Sequence, residues 1–208
     1  MGLGNYLSHV QRFQSFITSD ERDILYNFAM DQYGKGMFRW DRIRLAFEKS
    51  EQAKEAVKGK LRWSLSLNHI DVYNSEPLIH KLRLRIEDTL NLQQYKKYTV
   101  DPLYGFVANI VLPGGFIQIH KDTYENENFS QSFENYRHIR FNIMVNRTDH
   151  SCYDPHFIHN KVRMIVPIRI GDAWCFPADT ILHYMPFIED SEPRIVYQFG
   201  FAVDVDNQ

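Results

Sequence analysis

Two periodicities divide the chain near residue 98. Before that point apolar residues recur mainly at helical spacing, and after it short β-branched and aromatic runs alternate with turn residues. Thr18-Ser19-Asp20-Glu21 has the form of a capping box, and Ile24, Leu25, Phe28 and Ala29 then fall on one helical face. This predicts a helix from about Asp20 to Gln32 that stops near Gly34-Lys35-Gly36. A second helix is expected from about Asp41 to Lys58, with Glu51, Lys54, Glu55 and Lys58 on a solvated charged face and Gly59 as its stop. Leu61 to Leu67 alternates in period two and reads as a strand. Ser75-Glu76-Pro77 then opens a third helix through Leu78, Leu82, Ile86 and Leu90.

From Tyr98 onward strands are expected at Tyr104 to Leu112, Phe116 to His120, Ile139 to Asn146, Val162 to Ile170, Ala173 to Phe176 and Ile195 to Val203. Many short strands after a helical lead predict a mainly β fold: a double-stranded β-helix, the jelly-roll or cupin-like barrel, buttressed by α-helices. No internal repeat or low-complexity linker interrupts the chain. The expectation is therefore a single domain, 1–208, with 1–97 as mainly helical support and 98–208 as the jelly-roll core. Thr123 to Tyr136 is polar and aromatic without periodicity and reads as a long loop, of the kind that serves as a lid or binding loop. The polar stretch between Asn146 and Val162 also reads as loop, with His150, His156 and His159 as solvated residues.

Composition narrows the partners. With 208 residues, 44% of them hydrophobic, the chain can bury one sizeable core. A formal charge of −2 carries no electrostatic footprint for nucleic acid. Cys152 and Cys175 are the only cysteines, too few for a disulfide framework or thiolate cluster, and Cys175 sits in an apolar run that belongs in a core. The N-terminus lacks a basic segment followed by an apolar run, and no apolar stretch approaches the ~18 residues that would span a membrane. A cytoplasmic location is expected.

The densest chemistry is His120-Lys121-Asp122, which follows the strand-like Phe116-Ile117-Gln118-Ile119. In extended backbone residues i and i+2 point to one face, so imidazole and carboxylate can converge on one cation. Among 9 histidines and 26 acidic residues one such triplet carries little weight alone. The order that follows carries more: His183 stands sixty-one positions after Asp122, behind Gly171-Asp172-Ala173-Trp174, and Arg194 opens a strand eleven positions after His183. Two histidines and a carboxylate with open positions form the facial triad of non-haem Fe(II) oxygenases.

With these residues the segment from about Tyr104 to Val203 resembles the Fe(II)/2-oxoglutarate-dependent dioxygenases, and more narrowly their small proline-hydroxylase and aspartyl/asparaginyl-hydroxylase-like members. Leu112-Pro113-Gly114-Gly115-Phe116 resembles the turn leading into the first two ligands, and Arg140 to Asn146 the middle strand. Arg140 stands where many relatives have His, and Val196 where many have Ser two residues after the co-substrate arginine. The resemblance implies Fe(II) held by His120, Asp122 and His183, with 2-oxoglutarate as co-substrate and O2 as oxidant. It also implies succinate and CO2 as co-products, and an amino acid, free or in a peptide, as the molecule hydroxylated at an unactivated C–H. Asp122 points to hydroxylation, since related halogenases carry a small residue there. Arg194 is the candidate grip on the far carboxylate, because a guanidinium matches a carboxylate bidentately. His138, Arg140 and Asn142 share one strand face. Either Arg140 or Asn142 contacts the co-substrate or substrate, or that face is solvated and Phe141 and Ile143 alone are core. Two competing readings keep the barrel: a cupin-like metalloenzyme of other chemistry, and a non-catalytic jelly-roll binding domain. Cupin sites recruit more histidines close together, and neither reading gives Arg194 a task.

Overall fold

Thr18 caps the first helix as its sequence predicts. Its hydroxyl accepts from the Glu21 amide, the Glu21 carboxylate accepts from the Thr18 amide, and the helix α1 runs Ser19–Gly34. Glu76, with Pro77 at the first helical position, likewise opens α3, Pro77–Thr89. Between them lies α2, Glu51–Lys58. The computed structural model describes residues 9–40, 51–68, 75–102, 105–122, 136–147, 154–189 and 191–204. The first half of the expected second helix, residues 123–135 of the loop expected from Thr123 to Tyr136, and His150 and Cys152 lie outside the described residues, while Tyr136 already belongs to a strand.

The rest is antiparallel β structure. In chain order the strands are β1 (Gln11–Phe13), β2 (Arg39–Trp40), β3 (Arg62–Ser66), β4 (Tyr98–Val100), β5 (Phe106–Val111), β6 (Ile117–His120), β7 (Tyr136–Asn146), β8 (His156–His159), β9 (Val162–Ile165), β10 (Ala173–Pro177), β11 (Leu182–Met185) and β12 (Arg194–Asp204). The larger sheet runs β1-β10-β7-β12-β5-β3-β2, with β4 extending β5 along the same edge of β12. The smaller runs β6-β11-β8-β9. Strands β1, β2 and β3 come from the segment expected to be mainly helical support, and join the larger sheet.

Both faces of the larger sheet are buried, which explains why β12 reads as a nearly continuous apolar run and why the polar residues of β7 are buried too. One face presents Ile139, Phe141, Ile143 and Val145 of β7 and Tyr197, Phe199, Phe201 and Val203 of β12 to Leu25 and Ala29 of α1 and to Leu78, Ile79, Leu82 and Ile86 of α3. Tyr197 donates its hydroxyl to the Leu25 carbonyl at 2.8 Å, and Arg85 of α3 binds Glu21 of α1 at 2.5 Å. The other face packs Met144, Trp174, Phe176 and Val196 against Phe157 of the smaller sheet and Ile181 just before β11. The intervening positions of β7, His138, Arg140 and Asn142, are buried as well, so none of them is a solvated face.

Two expectations are corrected. The segment expected as a strand from Val162 to Ile170 is strand only over Val162–Ile165. The polar stretch before it contains β8, joined to β9 by Asn160-Lys161, whose positive φ values of 49° and 66° make the two-residue turn that a twisted hairpin favours. His156 is consequently buried rather than a solvated loop residue. Its Nδ1 meets the Arg163 guanidinium at 2.8 Å.

Candidate metal centre

His120 and His183 are directly opposed in the antiparallel pair β6-β11, so their side chains leave the same face. The register shifts before this pair, with Met185 opposite Ile117, and three residues of β6 therefore match two of β11. Such a bulge re-aims the strand. Ile117 packs inward with Val111, Met185 and Ile188, and three positions later His120 again points inward. Asp122 follows at i+2, its amide tied to the Ala178 carbonyl at 2.9 Å.

The three side chains converge. Their ligand atoms lie within 4.8 Å of one another, with Asp122 Oδ1 3.5 Å from His120 Nε2 and 3.9 Å from His183 Nε2. The imidazole centroids are 4.2 Å apart, and the Phe176 ring packs 4.7 Å from that of His183. Each imidazole donates Nδ1–H to a carbonyl two residues earlier, His120 to Gln118 at 2.7 Å and His183 to Ile181 at 3.1 Å. That bond fixes the tautomer and leaves Nε2, the atom facing Asp122, as the lone-pair donor. Burial lowers the His183 pKa to about 4, outweighing the raising influence of Asp122, so the ring is neutral at ordinary pH. Burial would raise the Asp122 pKa, but Arg140 and the two histidines more than offset it and hold the carboxyl ionised. Two imidazole nitrogens and one carboxylate oxygen form a donor set suited to a divalent transition metal.

Arg140 reaches this cluster from β7. Its Nε lies 2.7 Å from Asp122 Oδ2, and its Nη1 donates to Asp101 Oδ2 at 2.6 Å. His138 Nδ1 stands 3.2 Å from the same Asp101 oxygen. Asn142, the other residue expected on this face, is buried between Trp174 of β10 and Gln198 of β12. Asp101 had no motif to announce it. It is a turn residue that tertiary folding brings beneath β12, where its amide donates to the Gly200 carbonyl.

Arg194 is buried at the start of β12, with its guanidinium 5.7 Å from the Trp174 ring centroid. It has no ion-pair partner among the described residues, and its Nε has no hydrogen-bond acceptor. The neighbouring carboxylate, Asp154, is already engaged by Arg147, which also donates to the Ile168 carbonyl, and by the Ile168 amide at 3.0 Å. Burial, then Arg147, pull the Arg194 pKa down to about 9, Arg62 adds to this, and Asp154 opposes it. A buried guanidinium without an anion is costly unless a ligand supplies one.

No protein-family model matches the sequence, and no curated protein matches it. Solved structures do match. A prolyl-4-hydroxylase from Pseudomonas putida aligns with a TM-score of 0.60 at 13% identity, covering 97% of this chain and 98% of that one. The non-heme alpha ketoglutarate dependent epimerase SnoN from nogalamycin biosynthesis aligns with a TM-score of 0.65 at 10% identity, covering 97% and 82%. HygX from Streptomyces hygroscopicus, solved with nickel and 2-oxoglutarate bound, aligns with a TM-score of 0.61 at 8% identity, covering 95% and 84%. At such identities the likeness establishes the fold: this chain has the jelly-roll fold of the Fe(II)/2-oxoglutarate oxygenases. Among the described residues no helix is long and apolar enough to cross a membrane.

Proposed function

We propose that the chain, 1–208, is one Fe(II)- and 2-oxoglutarate-dependent oxygenase domain that hydroxylates an unactivated C–H bond of an amino acid, free or within a peptide. The observation that carries this reading is the pairing of two features inside one sandwich. His120, Asp122 and His183 offer converging donor atoms, and Arg194 lies buried without an ion-pair partner among the described residues. The first suits Fe(II) and the second suits a carboxylate, and 2-oxoglutarate needs both.

In this reading His120, Asp122 and His183 hold the metal, and the Arg194 guanidinium grips the far carboxylate of the co-substrate. Bound Fe(II), 2-oxoglutarate and O2 supply the oxidising chemistry, with succinate and CO2 as co-products. The protein's share is orientation and exclusion of water. The Nδ1 bonds of His120 and His183 to backbone carbonyls orient both rings with Nε2 toward Asp122, Arg140 keeps Asp122 anionic, and the Phe176 ring packs against His183. The Trp174 ring lies 5.7 Å from the Arg194 guanidinium, a cation–π contact that helps hold the side chain in place, and a guanidinium can form two parallel bonds to a carboxylate. The proline hydroxylases among the structural neighbours motivate the choice of substrate, which stands on analogy of fold.

Anaerobic titration with Fe(II) and 2-oxoglutarate, followed by O2-dependent succinate formation over a panel of free amino acids and short peptides, tests the proposal. One oxygen added to an amino-acid or peptide product, coupled to succinate, is expected. Metal binding without any 2-oxoglutarate turnover would defeat it.

A further inference from the structure

We infer that Arg140 is the residue that restricts Asp122 to a one-oxygen ligand, with Asp101 and Gly200 aiming the guanidinium. The inference rests on the reading of His120, Asp122 and His183 as a metal centre and assigns a task within it. The two oxygens of Asp122 face opposite ways. Oδ1 looks toward the Nε2 atoms of both histidines, and Oδ2 is 2.7 Å from Arg140 Nε. A carboxylate free to turn about its Cβ–Cγ bond could chelate a metal through both oxygens. Here, turning Oδ2 toward the metal would pull apart a pair of opposite charges that are both buried. A metal held by Asp122 through Oδ1 alone would therefore keep free a position that a bidentate carboxylate would fill.

The aim of Arg140 is built into the sheet. Asp101 Oδ2 holds Nη1 at 2.6 Å and also meets His138 Nδ1, so the guanidinium is anchored at the end away from Asp122. Gly200 lies opposite Arg140 in the β7-β12 register. A Cβ added there would stand 2.5 Å from Arg140 Nη1 and 2.9 Å from the Gly105 carbonyl oxygen, so only glycine leaves the path open. The negative charge of Asp101 also offsets that of Arg140. Arg140 thus orients Asp122 without adding a net positive charge that would repel a divalent cation.

Replacing Arg140 alone would strip the buried Asp101 of its guanidinium, so the informative protein is the Asp101→Asn/Arg140→Gln double variant, which keeps the net charge unchanged. Co(II) serves as the probe, read by calorimetric titration and by its visible absorption, which reports coordination number, with thermal unfolding as the check on folding. The double variant is expected to unfold within a few degrees of the wild type, to bind Co(II) roughly 10- to 100-fold more weakly, as loss of an outer-shell partner does, and to show a changed Co(II) spectrum. Arg140→Lys should restore some of the affinity and not the spectrum, because an ammonium lacks the fork. Asp101→Asn alone, which loosens the anchor and leaves Arg140 in place, should move the spectrum in the same direction. A wild-type Co(II) affinity and spectrum in whichever of these proteins folds overturns the inference. If the variants match a wild type that does turn over 2-oxoglutarate, the oxygenase reading stands and this inference fails. If the wild type binds Co(II) and the variants alter its spectrum but no 2-oxoglutarate is consumed, the oxygenase reading fails and this inference stands.

Discussion

Replacing Arg194 by methionine should make the ligand-free protein more stable and, at the same time, blind to 2-oxoglutarate. The pKa of Arg194 is pulled from its ordinary 12.5 down to about 9 by burial and by Arg147. A folded-state value below the unfolded one means that folding disfavours the charged form. The cost is present in full below pH 9 and fades only as the pH climbs from 9 toward 12.5, so all of it is felt near neutrality. At ~1.4 kcal/mol per pH unit the ceiling is about 5 kcal/mol. Exchanging buried charges for packed apolar groups gains on the order of 1–4 kcal/mol in practice. Methionine also keeps a contact with Trp174, since a thioether packs well on an aromatic ring. For a chain of this size each kcal/mol moves Tm by roughly 2–4 °C, so a rise of several degrees is expected in the Arg194→Met protein without ligand. In the wild type, 2-oxoglutarate at about a hundred times its Kd, with Mn(II) as a redox-silent metal, should add about 2.7 kcal/mol of stability. The variant should lose on the order of 2–5 kcal/mol of that binding, and with it the thermal shift. Differential scanning fluorimetry of both proteins, with and without 2-oxoglutarate, reads both effects. A variant that melts below the ligand-free wild type, or one that 2-oxoglutarate stabilises as much as the wild type, refutes the reasoning.

Three further outcomes are expected. His183→Ala should abolish measurable Fe(II) binding by calorimetry, whereas His159→Ala on β8 should leave it intact; equal binding by both would dissolve the proposed centre. Gly200→Ala should destabilise the fold by about 2 kcal/mol or more in urea titration, because the new Cβ meets the Gly105 backbone oxygen at 2.9 Å as well as Arg140. The hydrogen bond from Arg85, then that from the Thr18 amide, lower the Glu21 pKa against the raising effect of burial. Stability that Glu21 contributes is therefore present above its unfolded value and lost as pH falls through its depressed folded value. The stability difference between wild type and Glu21→Gln should close on acidification below about pH 4.5, and a difference independent of pH would rule out the charge as its source.

The sequence by itself determined those features whose causes are local. Thr18 and Glu21 satisfy each other across one helical turn, Pro77 suits only a helix start, and the apolar stripe of α3 repeats at helical spacing, so both helices could be read from the chain. The i, i+2 spacing of His120 and Asp122 likewise needed only the pleat of an extended strand. His183 and Arg194 were legible through their order along the chain and a family resemblance, since no local rule joins residues sixty-one positions apart. Tertiary structure alone decided the rest. The face of β7 that carries Arg140 and Asn142 looked equally suited to solvent, because a polar strand face is polar for water or for a buried partner, and only Asp101 and Asp122 beside Arg140 distinguish the two. Asp101 approaches Arg140 because β4 and β5 share one edge of β12 and both Asp101 and Gly105 bond to the Gly200 backbone, a pairing set by long-range hydrogen bonds. β8 stayed hidden among polar residues because its two histidines flank Phe157 and Ile158 over only four positions, too short a run to outweigh composition. That Arg194 has no ion-pair partner among the described residues was equally beyond the sequence. An arginine lacks a partner only when every nearby carboxylate is engaged elsewhere, and that is a property of packing.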